Sequence, residues 1–183
     1  MAWQLDTVHS QIEFAVKHMM VSTVRGRFKK FSGTVALDEQ LPEQSRVDVT
    51  VDVASVDTGE ERRDGHLRSP DFFDVDRYPT LAFKSTNVEQ LGEDHYRVTG
   101  DLTIRDVTRE VPLDVTLEGR HRDMQGQRRA GFALTGSINR KDFGLNWNVA
   151  LEAGGWLVAD TIKLLVDAEV FEPATVPAEA VAQ

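Results

Sequence analysis

Apolar and polar residues alternate along most of this chain. Strict alternation marks a strand with one buried and one wet face. Ile12, Phe14 and Val16 open the series, followed by Phe31, Gly33, Val35 and Leu37, then Val47, Val49, Val51 and Val53. Leu81 and Phe83 come next, then Tyr96, Val98, Gly100, Leu102 and Ile104. Val111 to Leu117, Phe132 to Ile138 and Ile162 to Val170 complete eight segments whose intervening positions are mainly polar. One-sided strands of this kind favour an antiparallel sheet. Leu91–Asp94, Asp123–Gly126 and the shorter Arg105–Thr108 read as connections between neighbouring strands.

Two features depart from the alternation. Val24, Gly26 and Phe28 occupy even positions, whereas Phe31, Gly33 and Val35 occupy odd ones. Keeping both sets on one face requires a bulge or strong bend near Lys29-Lys30. Thr58 and Glu61 have capping-box spacing, which predicts a short helix through about Leu67. Ser69-Pro70 predicts the start of a further helical turn carrying Phe72 and Phe73, and His18–Val21 predicts a turn between the first two strands. Periodicity ends at Phe171. The expected organisation is one domain over residues 1–172 and a disordered tail over 173–183.

Eight one-sided strands pack either as two sheets or as a closed barrel. Gly33, Gly100, Gly119 and Gly136 fall on apolar faces, where glycine marks strong curvature or close backbone approach. They favour an eight-stranded antiparallel β-barrel over a sandwich. A barrel of that size is filled by side chains or encloses one ligand. Residue types leave both outcomes open, although four missing side chains lean toward a cavity.

Composition narrows the partners. Lys and Arg total 21 against 30 Asp and Glu, a formal net charge of −9, which argues against a phosphate-backbone partner. A hydrophobic fraction of 40% is too high for a disordered chain. The absence of cysteine removes disulfides, thiol nucleophiles and every Cys-containing metal site. No stretch approaches the ~20 apolar residues of a membrane-spanning helix. As written, the chain opens without a leader peptide, so the expected location is cytoplasmic. A chain from which a leader had been removed would look the same and be periplasmic.

Catalytic motifs are missing: there is no Gly-x-Ser-x-Gly, no phosphate-binding loop and no His-Glu-x-x-His. Asp64 and His66, with Asp57 or Glu60, are candidate metal ligands, but a capped polar helix more simply presents them to solvent. Asp6, His9 and Ser10 are the residue types of a hydrolase triad, yet such close spacing suits a turn bonding its own backbone. Lys29-Lys30, Arg62-Arg63 and Arg128-Arg129 read as solvated charges, or as one pair meeting an anionic head group at a barrel mouth. An enzyme working in an apolar pocket would need an acid or base there, and the apolar faces offer only His121 and Tyr96. No catalytic residue, metal or cofactor is therefore expected.

Strand parity supplies the candidate lining of a ligand cavity: Ile12, Phe14, Val16, Phe28, Val49, Val51, Leu81, Phe83, Leu102, Leu113, Val115, Phe132, Leu134, Leu164 and Val166. Met19, Phe72, Phe73 and Trp147 are candidates for its mouth. Trp147 and Trp156 flank a segment holding Gly154-Gly155, so this end is either plugged or covered by a movable cap.

Several stretches taken together resemble the YceI-like family. They are Trp3–Asp6 with His9–Phe14, His18-Met19, Gly26–Phe28 leading to Phe31–Gly33, and Ser55–Gly59. Arg63–Leu67, Asp71–Asp74 to Tyr78-Pro79, Phe83–Thr86, Gly100–Ile104 with Val107-Thr108, and Ile138–Gly144 continue the match in order. Asp106 departs from it, standing where the family often has glycine. The resemblance implies a lipocalin-like eight-stranded barrel with one or two short helices near one opening of a hydrophobic tunnel. It implies non-covalent binding of a long-chain isoprenoid, such as an isoprenoid quinone, or of a fatty amphiphile, without catalysis. It also implies a homodimer. An open cavity would go with transport and transient membrane contact for lipid exchange, and a filled barrel with a structural or stress-response role.

Overall fold

The computed structural model describes residues 2–173. The tail expected over 173–183 lies, from residue 174, outside the described residues. Eleven strands form one antiparallel sheet: β1 (Ala2–Leu5), β2 (Gln11–His18), β3 (Ser22–Phe28), β4 (Phe31–Ala36), β5 (Arg46–Asp52) and β6 (Val56–Asp57), then β7 (Thr80–Gln90), β8 (His95–Ile104), β9 (Val107–Arg122), β10 (Arg128–Asn139) and β11 (Val158–Phe171). Around the ring β2 pairs with β3, β1 with β4, β3 with β6, β4 with β5, β5 with β7, and each strand from β7 to β11 with the next, and β11 returns to pair with the N-terminal strands through Gln4↔Phe171 and Val16↔Ile162. The sheet is thereby closed.

Eleven strands make eight staves because three staves are broken. β1 and β2 both lie against β11, separated by the loop from Asp6 to Ser10. β3 and β4 form one bent stave, and β5 and β6 form another. The bend falls at Lys29-Lys30, where the parity of the apolar residues shifts. It is braced from the facing stave: the Lys29 N–H donates to Ser55 O at 3.2 Å, and Asp52 N–H donates to Lys30 O at 2.9 Å. Register shifts at Ser85/Asn87 and Gly131/Phe132 add local twist elsewhere in the ring.

The helix differs from expectation in its cap. α1 spans Glu61–Arg68, and Glu60, not Thr58, is the N-cap, accepting from the Arg62 and Arg63 N–H groups. A longer carboxylate two residues nearer the helix takes the place of the Thr58 hydroxyl, which donates to Asp64 Oδ1 at 2.5 Å. No helix begins at Ser69-Pro70: this stretch is a run of turns, with Ser69 closing α1 by donating its hydroxyl to His66 O at 2.6 Å.

The apolar-face glycines do not open the interior as expected. A Cβ on Gly100 would stand 2.5 Å from Phe83 Cζ, one on Gly136 would stand 2.7 Å from Leu113 Cδ2, and one on Gly26 would stand 2.3 Å from Phe14 Cζ. Large cross-strand side chains already fill these places, which is how sheets cover a bare backbone. Gly119 has no such neighbour.

The barrel has two distinct ends. At one, the helix end, the β2–β3 turn meets the start of β11 through His18↔Val158, and α1 reaches the β10–β11 connection through His66 against Trp147. The other, the terminal end, carries the start of β1, the end of β11 and the β9–β10 hairpin. There Arg129 donates to Asp6, Asp123 and Glu169 at 2.7 to 2.9 Å, and Arg128 pairs with Glu39 and Glu172. Surface ion pairs contribute little singly, but one guanidinium shared by three carboxylates fixes the relative positions of four chain segments.

Candidate functional site, an apolar barrel cavity

A cavity of about 430 Å³ occupies the barrel interior. Inward residues of β2, β7, β10 and β11, such as Phe14, Phe83, Leu134 and Leu164, are only half-buried because they face this space. Val51, Val56 and Phe143 are almost wholly enclosed and form the packed material around it. Inward direction follows from period two, so alternate residues of every stave reach the same volume.

The structure places Ile12, Phe14, Val16, Phe28, Val49, Val51, Leu81, Phe83, Leu102, Leu113, Val115, Phe132, Leu134, Leu164 and Val166 on the cavity wall. Phe72, Phe73 and Trp147 lie on it as well. Met19 does not. It sits in the β2–β3 turn at φ 51° and is about half exposed (47%), because the left-handed backbone directs it over the rim. Trp156 also stands outside the wall.

Polar groups collect at the ends. At the helix end, the wall includes Lys17, His18, Thr58, Arg63, His66 and Arg140. His66 meets Phe72 and Trp147 edge-to-face, and those two rings are tilted against each other, with centroids 4.5 to 5.4 Å apart. His66 Nε2 lies 2.9 Å from Asp71 Oδ2. Arg63 is oriented by Thr58 alone, donating from Nε to the hydroxyl at 2.8 Å and from Nη2 to the carbonyl at 2.9 Å. Toward the terminal end, the wall includes Asp38, Glu39 and Arg120.

Sequence patterning missed Arg140. The residue is 2% exposed, and its side chain donates to the carbonyls of Leu145 (2.6 Å), Trp147 (2.8 Å), Ala159 (2.9 Å) and Val158 (3.3 Å). Burial lowers the Arg140 pKa, and the Asp160 charge opposes that only in part. One guanidinium therefore holds the connection that places Trp147 over the cavity. Nothing in Asn139-Arg140-Lys141-Asp142 distinguishes this arginine from a solvated one.

The candidate catalytic and metal groups do not assemble. Ser10 Oγ bonds the backbone of Glu169, accepting from its N–H at 2.9 Å, while His9 Nδ1 meets Asp6 Oδ2 at 2.9 Å, so no triad forms. Asp64 is engaged by Thr58 and His66 by Asp71, and among the described residues no three ligand groups gather around α1. Asp6, His9 and Glu169 approach one another, but the Arg129 guanidinium already pairs with both carboxylates. Tyr96 reaches the wall and donates its hydroxyl to Glu93 O at 3.3 Å, and His121 lies off the wall.

A closed eight-stranded antiparallel barrel with an apolar interior defines the lipocalin-like class. The chain matches the YceI-like domain family over residues 3–170, and it belongs to that family. It is 45% identical over 135 residues to a UPF0312 protein of Photorhabdus laumondii, covering 74% of this chain and 70% of the relative. The crystal structure of Burkholderia cenocepacia BcnA superposes with a TM-score of 0.79 at 28% identity, covering 90% of this chain and 98% of that one. The same barrel recurs in a polyisoprenoid binding domain from Saccharophagus degradans, with a TM-score of 0.69 at 18% identity, covering 93% of this chain and 98% of that one.

Proposed function

We propose that this protein holds one long apolar lipid, an isoprenoid chain such as an isoprenoid quinone or a fatty amphiphile, inside the barrel, and sequesters or carries it without chemical change. The observation that carries this reading is the cavity of about 430 Å³ walled by alternate apolar residues of all eight staves. Its size lies within the ~300–1,000 Å³ range of small-molecule sites. The name of the Saccharophagus barrel, a polyisoprenoid binding domain, supports the same ligand class.

Binding on this reading comes from removing methylenes from water. At ~0.8 kcal/mol per CH₂, about ten enclosed methylenes supply roughly 8 kcal/mol before the cost of ordering the chain. Eight isoprene units would exceed the ~18–21 kcal/mol ceiling of non-covalent affinity, so ordering offsets much of the gross gain. Specificity for the head group is correspondingly loose. Arg63 and His66 stand at the helix end to receive a polar head. Exchange with a membrane loads and unloads the cavity.

An enzyme would need an acid or base aimed at the enclosed chain; Tyr96 Oη faces the Glu93 carbonyl, and the wall's other titratable groups, such as His66 and Glu39, stand toward its ends. The test is organic extraction of freshly purified protein followed by mass spectrometry. A stoichiometric long-chain lipid is expected. Recovery of none, with no uptake of added polyprenyl compounds, overturns the proposal.

A further inference from the structure

Five of the nine exposed large hydrophobic residues among the described ones, Met19, Met20, Val21, Val149 and Trp156, gather in two tips at the helix end. In the His18–Val21 turn, the Val21 N–H donates to His18 O at 3.2 Å, and both central residues have positive φ: Met19 51° and Met20 63°. Such turns favour Asn and Gly, which adopt this backbone at little cost. Here the positions hold two methionines, and burial gives nothing back: Met20 is 68% exposed and Val21 is 81% exposed. The second tip is the hairpin within the β10–β11 connection, closed by the Ala150↔Trp156 bridge. It exposes Val149 and Trp156.

These tips form one lip. Met19 N–H donates to Leu157 O at 2.8 Å, and Met20 Sδ lies where a Cβ on Gly155 would be, 2.1 Å from that position. Glycine at 155 is what allows the methionine to rest on the neighbouring tip. Across residues 19–21 and 149–156 the only charged side chain is Glu152, in a protein that is 28% charged. The lip is continuous with the cavity, because His18, Trp147 and Leu157 beside it belong to the wall. Lys17 directly precedes the first tip and Arg63 lies one turn before His66, which touches Trp147; neither has a carboxylate partner among the described residues.

We infer that this lip is a docking surface for a phospholipid bilayer. Methionine, valine and tryptophan side chains enter the interfacial layer, while Lys17 and Arg63 lie at the level of the lipid phosphates. Tryptophan suits that depth because its ring is apolar and its N–H is polar. Apolar insertion supplies the affinity and the two cations supply charge complementarity. A lipid leaving the cavity there passes between apolar surfaces and never exposes its chain to water. The inference rests on the lipid-binding reading for its purpose, and the experiment separates the two.

Flotation with vesicles of phosphatidylcholine and phosphatidylethanolamine measures docking, and uptake of a fluorescent fatty acid from solution measures the cavity. The variant Met20→Asp/Val21→Asp changes exposed positions only, and aspartate tolerates the left-handed backbone at position 20. Met124→Asp, at the fully exposed tip of the β9–β10 hairpin on the terminal end, is the control. The wild type is expected to float, the double variant to lose at least ~tenfold in vesicle partition, and Met124→Asp to match the wild type. All three are expected to take up fatty acid alike. A wild type that does not float overturns the inference, as does a double variant that floats equally well or a Met124→Asp loss of the same size. A double variant that dissociates a dimer while its flotation is unchanged also overturns it, and assigns the lip to a second copy of this chain. Flotation without fatty-acid uptake leaves docking standing and removes the cavity reading.

Discussion

Phe83 on β7 lays its ring over the bare backbone of Gly100 on β8, where a Cβ would stand 2.5 Å from Cζ and 2.6 Å from the Lys84 carbonyl oxygen. The aromatic ring and the missing side chain form one cross-strand unit. Gly100→Ala should therefore destabilise the barrel by about 1–3 kcal/mol in urea denaturation. Phe83→Ala removes the ring but leaves the carbonyl in place. Gly100→Ala should still destabilise in that background, and by less than in the wild type.

Leu134 on β10 faces the cavity opposite Val115 and Val166. Leu134→Arg would place a guanidinium among methylenes and should abolish lipid retention, measured by extraction from protein whose circular dichroism is that of the wild type. Retention by such a folded variant would show that the β10 face is assigned wrongly.

The loop joining β1 to β2 gives the stability a pH dependence. Burial pushes the Asp6 carboxyl up, but hydrogen bonds from His9, Arg129 and the His9 and Val8 N–H groups outweigh it and hold the pKa well below the ordinary 3.8. That stabilisation is complete above about pH 4 and is lost as pH falls through the lowered value. Asp6 raises the His9 pKa above 6.5, so the His9 contribution is complete below 6.5 and fades as pH climbs through the raised value. Asp6→Asn should cost about 1.5–3 kcal/mol at neutral pH, through its charged bond to Arg129. Urea midpoints of the variant should also fall less steeply below pH 4 than those of the wild type.

Removing Arg140 strands four carbonyl groups around a buried site. Arg140→Met should lower stability by about 3–5 kcal/mol and red-shift the emission of Trp147 as the β10–β11 connection loosens. Arg140→Lys should recover only part of this, because a single ammonium lacks the fork that reaches all four acceptors. A lysine variant as stable as the wild type in thermal denaturation would contradict that account.

The staves were legible in the sequence because period two is strict wherever one face meets the cavity. The bend at Lys29-Lys30 was legible for the same reason: a change of parity has few physical remedies. The lining of Leu81, Phe83, Leu102 and Leu134 follows from that arithmetic alone. Residues outside the sheet were harder to place. Thr58 is the better helix cap by residue type, and only the path of the chain gives that place to Glu60. Met19 shares no period with its neighbours, so its place on the rim depends on a backbone angle that the residue type does not favour. Arg140 was hidden because its partners are backbone carbonyls, which carry no residue-specific signal.

Closure of the ring by Gln4 against Phe171 has a kinetic side. The staves that meet at this seam are the first and the last along the chain, so their pairing closes a loop of nearly the whole domain. Loop entropy opposes such contacts until the intervening strands are aligned, and folds rich in them are slow. On the ribosome, the other staves emerge and pair before β11 is available. The half-built barrel is then an open trough with its apolar face uncovered, and the sealing of the seam is the first moment at which an occupant becomes enclosed.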